Sequence, residues 1–177
     1  MLFITRHGQT DWNVLHKVQG KADISLNAKG INQALQTKQK LESQKIDLII
    51  CSPLKRTKET AEIINSNRNI PIIYDEKISE RDFGEFEGTE QENFDFEGFW
   101  SYYKNFKYQK AENIKDFFSR IYSRLDEIKS EYRNINVLLV THGGVSIPVN
   151  CYFNGIPTED NLLSLVLNNC EVVSYVF

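Results

Sequence analysis

Three short apolar runs, each cut off by a turn, do most to limit what this chain can fold into. Leu2-Phe3-Ile4 leads into Arg6-His7-Gly8, Asp47-Leu-Ile-Ile-Cys51 into Ser52-Pro53, and Asn136-Val-Leu-Leu-Val140 into Thr141-His142-Gly143-Gly144. Unbroken apolar runs of this length, bounded by turn residues, read as strands buried on both faces. Helical patterns fill the gaps between them. Asn27 is placed to cap a helix reaching about Gln44, with Ile31, Ala34, Leu35 and Leu41 at helical spacing and Lys38 as the charged exception. Leu54 to about Asn65 reads as a second helix. Ala111 to Arg133 reads as a long amphipathic one, through Ile114, Phe117, Phe118, Ile121, Tyr122, Leu125 and Ile128. A further helix starts at His142. Pro71 to Tyr74 is a short strand, and Leu162–Leu167 with Glu171–Phe177 is expected to form a closing pair of strands around Asn168 and Asn169. Strands alternating with helices give a layered α/β domain over residues 1–177.

The segment from Asp75 to Lys110 breaks this rhythm. It is acidic first (Glu80, Asp82, Glu85, Glu87, Glu90, Glu92) and aromatic later (Phe94, Phe96, Phe99, Trp100, Tyr102, Tyr103). It reads as a loop with short helices inserted between core elements, with the cap at about residues 84–110. Its aromatic side chains are expected either to pack over the core or to line a pocket.

Bulk properties narrow the function classes. The chain has 177 residues, enough for one sizeable core, and a formal charge of −3, which gives nucleic acid no electrostatic hold. No apolar run has membrane-spanning length, and the first strand begins at once, so neither a leader nor a membrane partner is expected. Cys51, Cys151 and Cys170 are odd in number and lack metal-ligand spacing, which suits a reducing, cytoplasmic compartment.

Chemistry-bearing residues cluster after the strands. In an open α/β sheet, ligands bind beyond the carboxyl ends of the strands. Arg6 and His7 follow the first strand, Arg56 opens the helix after the second, Glu80 precedes a glycine-punctuated loop, and His142-Gly143 follows the strand at 136–140. A phosphate monoester accounts for all of them. Its dianion takes guanidinium forks from Arg6 and Arg56 and backbone N–H groups at a helix start. A neutral imidazole can attack phosphorus if its other nitrogen is held by an acceptor. Glu80 is the candidate proton donor to the departing alkoxide, provided burial and its acidic surroundings raise its pKa.

These residues resemble the histidine phosphatase superfamily, also called phosphoglycerate mutase-like. Arg6-His7-Gly8 with Asn13, Ser52-Pro53-Leu54 with Arg56, Glu80 with Gly84 and Glu87-Gly88, and His142-Gly143 stand in that family's order. The resemblance implies a three-layer α/β/α sandwich with a mostly parallel central sheet and a small helical insert over the active site. It implies His7 as the nucleophile that becomes phosphohistidine. It places Arg6, Arg56 and a protonated His142 around the phosphoryl oxygens, with Asn13, Gln19, Gly20 and the Gly143 backbone as further contacts. Glu80 would be general acid, then base toward water. No metal and no cofactor are expected, because the cationic side chains neutralise the charge. Thr57 and Phe86 depart from the pattern, where alanine and tryptophan are more usual.

Blander readings compete at each position. Arg6-His7 could be a capped strand end, Arg56 a solvated helix residue, and the acidic run around Glu80 a solvated face. His142 alone would read as structural, and His16 reads as a loop residue. A cysteine phosphatase loop is rejected because four residues, not five, separate Cys51 from Arg56. Within the family three activities compete: hydrolysis of small-molecule phosphate monoesters, cofactor-dependent phosphoglycerate mutation, and removal of phosphate from phosphohistidine on a partner protein. The compact chain and Glu80 favour the first. Lys104, Lys107 and Lys110 keep a second anion site, and so the mutase, in play. The aromatic insert suits a substrate with a ring or apolar part; alpha-ribazole phosphate is one such family substrate, though no residue selects it. The expected partner is a small phosphate ester, and a homodimer is left open.

Overall fold

The computed structural model describes residues 1–177. In chain order, the main elements are β1 (Leu2–Arg6), α1 (Asp11–Val14), α2 (Ala28–Lys40), β2 (Leu48–Cys51), α3 (Lys55–Asn65), β3 (Ile72–Tyr74), α4 (Phe96–Phe99), α5 (Ile114–Tyr132), β4 (Val137–Thr141), α6 (Gly143–Asn154) and β5 (Val172–Tyr175). The sheet order is β3-β2-β4-β1-β5. β1 to β4 run parallel, and β5 closes the edge antiparallel to β1.

Alternation along the central strands divides the core into two layers. Leu2, Ile4, Leu48, Ile50, Val137 and Leu139 pack toward α5 and α6, against Phe117, Ile121, Leu125 and Val149. Phe3, Ile49, Cys51, Leu138 and Val140 pack toward α3, against Ala61 and Ile64. Every residue of β2 and β4 is buried, as strands covered on both faces require. No helix is long and apolar enough to cross a membrane.

Helix starts follow their caps. The Asn27 side chain accepts the Gly30 N–H, and Asn113 accepts the Lys115 N–H, so α5 begins at Ile114 and not at Ala111. Glu112, just before that cap, is occupied by an ion pair with Arg120.

One expectation fails. Leu162–Leu165 is a 3₁₀ turn, so the closing pair of strands does not form; Val172–Tyr175 alone joins the sheet. The backbone groups a hairpin would use are taken elsewhere. Leu165 O accepts from Ser146 Oγ (3.2 Å), Leu167 N donates to Ser146 Oγ (3.0 Å), and Leu167 O accepts from Arg6 Nη1 (2.9 Å).

The acidic-aromatic insert holds 3₁₀ turns at Gly84–Phe86 and Gln91–Asn93 and the short α4. Its aromatic residues do both things considered for them. Phe99 is 1% exposed and stacks on Phe83 at 4.8 Å, joining the main core. Phe83, Phe96 and Trp100 also face the cavity that His7 lines. Buried Arg81 ties this cap to the domain: its guanidinium lies 3.6 Å from the Phe99 ring and donates to the carbonyls of Glu112 and Phe99.

Candidate active site

Sheet register brings the two histidines together. Arg6 pairs with Thr141 across β1 and β4, so His7 and His142 leave the sheet side by side, with ring centroids 5.4 Å apart. β2 lies on the other side of β4 and delivers Ser52 and then Arg56 to the same rim. Glu80 arrives after β3 by way of the Glu76–Ile78 turn.

The His7 ring is 3% exposed, and its Nδ1 lies 2.7 Å from the Gly8 carbonyl. A carbonyl only accepts, so Nδ1 carries the proton and Nε2 is left with its lone pair. Burial, with Arg56 and Arg6 beside it, holds His7 well below the usual imidazole range. The ring is therefore neutral at physiological pH. The strand end is pinned by His7 N to Thr141 O (2.9 Å) and by Asn169 Nδ2 to His7 O (2.9 Å), and the Gly8 amide by Thr60 Oγ1 (3.0 Å).

Two guanidiniums flank the ring. Arg56 is fully buried and donates from Nη1 to Ala22 O (2.6 Å) and from Nη2 to Gly20 O (2.8 Å). Gly20 has φ +46°, the left-handed region where glycine is favoured. Arg6 donates from Nη1 to Leu167 O. In both arginines Nε is buried with no protein acceptor. Burial lowers Arg56 to about 10, against the pull of Glu80, so it stays charged at neutral pH. Arg6 is also lowered by burial.

Amide donors complete this arc. Asn13 Oδ1 accepts from the Thr10 N–H, and Gln19 Oε1 accepts from Thr10 Oγ1, which leaves the NH₂ group of each for a ligand. Asn13 and Gln19 line a cavity of about 560 Å³ together with Arg6, His7, Gly20, Arg56, Glu80 and Gly143. His142 is the one expected site residue off the cavity wall. It is 0% exposed behind His7, its Nε2 is 2.7 Å from Ser52 Oγ, and its Nδ1 has no protein partner. Burial, then Arg56, His7 and Arg6, hold His142 well below the usual imidazole range and so oppose the protonated state expected for it.

Each Glu80 oxygen accepts one backbone N–H, Oε1 from Arg81 (2.9 Å) and Oε2 from Gly144 (3.0 Å). Burial raises its pKa despite those bonds and the nearby Arg56 and Arg6. Gly144 has to be glycine here, because a Cβ would lie 2.2 Å from Glu80 Oε1 and 2.5 Å from Trp100 Cη2.

The rest of the cavity wall is apolar (Val18, Phe83, Phe96, Trp100, Leu163, Val166), with Lys17, Gln91, Glu92 and Glu97 toward solvent. Lys104, Lys107 and Lys110 do not line it, so the second anion site considered for them is absent from this cavity. No group of three or more His, Cys, Asp or Glu is arranged to hold a metal. Ser52, Thr60, Asn169 and Gly144 also shape the site. The sequence signals for two of them were slight: the Ser-Pro break after β2 and the second glycine after His142. Thr57, where alanine was expected, is buried and donates to Ser52 O (2.8 Å).

The family model described as histidine phosphatase superfamily (branch 1) matches residues 2–177. The chain belongs to the histidine phosphatase superfamily. It is 41% identical over 140 residues to the Bacillus subtilis (strain 168) protein named "Uncharacterized phosphatase PhoE", covering 79% of this chain and 70% of that one. It is 31% identical over 180 residues to a Salmonella choleraesuis (strain SC-B67) protein named "Probable phosphoglycerate mutase GpmB", covering 97% and 82%. Among solved structures, Bacillus stearothermophilus YhfR superposes with a TM-score of 0.88 at 32% identity, covering 97% of this chain and 88% of that one.

Proposed function

We propose that this member of the superfamily hydrolyses small-molecule phosphate monoesters through a phosphohistidine on His7. One observation carries the reading. Two buried guanidinium Nε–H donors lack any protein acceptor and flank a neutral imidazole whose free nitrogen is Nε2. Buried charged donors left unpaired are costly, and a phosphoryl dianion is the ligand that satisfies both.

In the first step His7 Nε2 attacks phosphorus, the P–O bond to the alcohol breaks, and neutral Glu80 protonates the leaving alkoxide. Arg6 and Arg56 hold the phosphoryl oxygens, with the Asn13 and Gln19 amides and the Gly143 N–H as further donors. His142 donates from Nδ1. In the second step Glu80, now a carboxylate, takes a proton from water as that water attacks phosphorus. The P–N bond breaks, inorganic phosphate leaves, and His7 and Glu80 return to their starting states. The raised Glu80 pKa and the lowered His7 pKa both favour the protonation states the first step needs.

Mutase chemistry would use the same centre on phosphoglycerates, as the GpmB name suggests. The solvent side of the cavity argues against it: exposed Glu92 and Glu97 line it with one cation, Lys17, an excess of negative charge that repels a substrate carrying a further carboxylate. A panel of phosphate esters, with 3-phosphoglycerate and its bisphosphate primer included, tests the proposal. Phosphate release from neutral or apolar esters is expected, and isomer interconversion without net phosphate release would overturn it.

A further inference from the structure

A second cavity, of about 880 Å³, lies against the first, and Glu80 belongs to the walls of both. Ser79 also lines it. Ser79 Oγ is 3.4 Å from Ser52 Oγ, which is 2.7 Å from His142 Nε2. Building on the phosphatase reading, we propose that Ser52 and Ser79 form a proton relay that carries a proton between His142 and solvent in this second cavity.

The chain of hydroxyls is held in place from the backbone. Ser52 is fully buried, its N–H donates to Val140 O (3.0 Å), and its carbonyl accepts from Thr57 Oγ1 (2.8 Å). The Ser52 hydroxyl has no partners but His142 and Ser79. Either protonation state of the ring fits this chain. With a neutral ring protonated on Nδ1, Ser79 donates to Ser52 and Ser52 donates to Nε2. With a charged ring, Nε2–H donates to Ser52, Ser52 to Ser79, and Ser79 outward to water. Passing one proton only reverses the O–H directions. The proton comes from water in the second cavity, as hydronium or from buffer, and returns there when phosphate leaves.

The neighbourhood explains why a relay is useful. Arg56, Arg6, His7 and Arg120 face His142 and oppose its charging. Glu80, bonded to the Gly144 amide, is the carboxylate of the same site, and the ring's one hydrogen bond goes to Ser52. Charging His142 therefore waits for the substrate dianion, which covers the first cavity as it binds. The second cavity stays open for the proton. Its charges are largely internally paired, Lys21 with Asp82 and Arg120 with Glu112 at 2.8 Å each, which fits a wet port better than a second anion site.

The test uses p-nitrophenyl phosphate, whose leaving group needs little help from Glu80, with pH profiles and solvent isotope effects on Ser52→Ala, Ser52→Thr, Ser79→Ala and Ser79→Val. Ser79→Val leaves the His142–Ser52 bond intact and fills the space a replacement water would take. Ser52→Ala and Ser79→Val are each expected to lower kcat/KM by about 10² at neutral pH, the lower end for a lost proton transfer. The loss should shrink toward about pH 5, where the substrate monoanion brings its own proton. Ser52→Thr should restore most activity, and Ser79→Ala should fall between. A Ser79→Val profile superimposable on the parent, with Ser52→Ala impaired, overturns the relay and leaves Ser52 a ring-positioning residue. A parent protein that releases no phosphate overturns the phosphatase reading, and the relay with it.

Discussion

Glu80→Gln separates proton donation from charge and packing. The carboxyl receives two backbone N–H bonds, from Arg81 at 2.9 Å and Gly144 at 3.0 Å. A glutamine oxygen can keep one of them; its NH₂ group then faces the other N–H. That mismatch costs about 1–3 kcal/mol, the scale of a buried donor left without an acceptor, and it falls equally on every substrate. The lost acid is different. General acid catalysis contributes about 10²–10⁴, or roughly 3–5 kcal/mol, and only where the leaving oxygen needs a proton. Initial rates of phosphate release from an alkyl phosphate and from p-nitrophenyl phosphate, on the parent and the variant, isolate this second factor. The alkyl substrate should lose about 10²–10⁴ more than the nitrophenyl ester. A thermal melt checks that the variant is folded. Equal losses on both substrates would refute the acid role and leave Glu80 as a structural acceptor for Arg81 and Gly144.

Further predictions follow from the same geometry. Gly144→Ala puts a methyl group against Glu80 Oε1 and Trp100, so alkyl phosphates should lose more activity than nitrophenyl phosphate, read in the same assay. In pH–rate profiles, His7 held below its ordinary value stays neutral well under pH 6.5, so the acid limb should lie below the normal imidazole range. Because the Glu80 pKa is raised, activity on alkyl phosphates should fall as pH climbs through a value above the ordinary carboxylate range, and this limb should vanish in Glu80→Gln. Phe99→Ala removes a 1%-exposed ring stacked on Phe83 and Arg81 and should cost about 3–5 kcal/mol, seen as a Tm lower by roughly 6–20 °C.

Local chemistry made much of this molecule legible in its sequence. The double-sided strands announced themselves by unbroken apolar runs, and Asn27 fixed the start of α2. Arg6, His7, Arg56 and His142 stand at or just after strand ends, and a parallel sheet gathers such positions at one rim; Glu80 was chosen over Asp82 and Glu85 chiefly by the resemblance to the family pattern. What escaped was set by distant contacts. The stretch Leu162–Leu167 has strand composition, but its backbone is claimed by Ser146 and by Arg6, which lies 161 residues from Leu167. The protonated His142 was read from its role at a phosphoryl group; the burial among Arg56, Arg6 and His7 that opposes this charge is a property of the fold. Ser52 read as part of the break that ends β2, and its bond to a histidine 90 residues away has no local signature.

Chemical quench of a turnover reaction, followed by assay of the protein for acid-labile, base-stable phosphate, bears most directly on the role of His7. Label should appear on the parent protein, map to the peptide carrying His7, and be missing from His7→Ala. Label that persists undiminished in His7→Ala would contradict the mechanism.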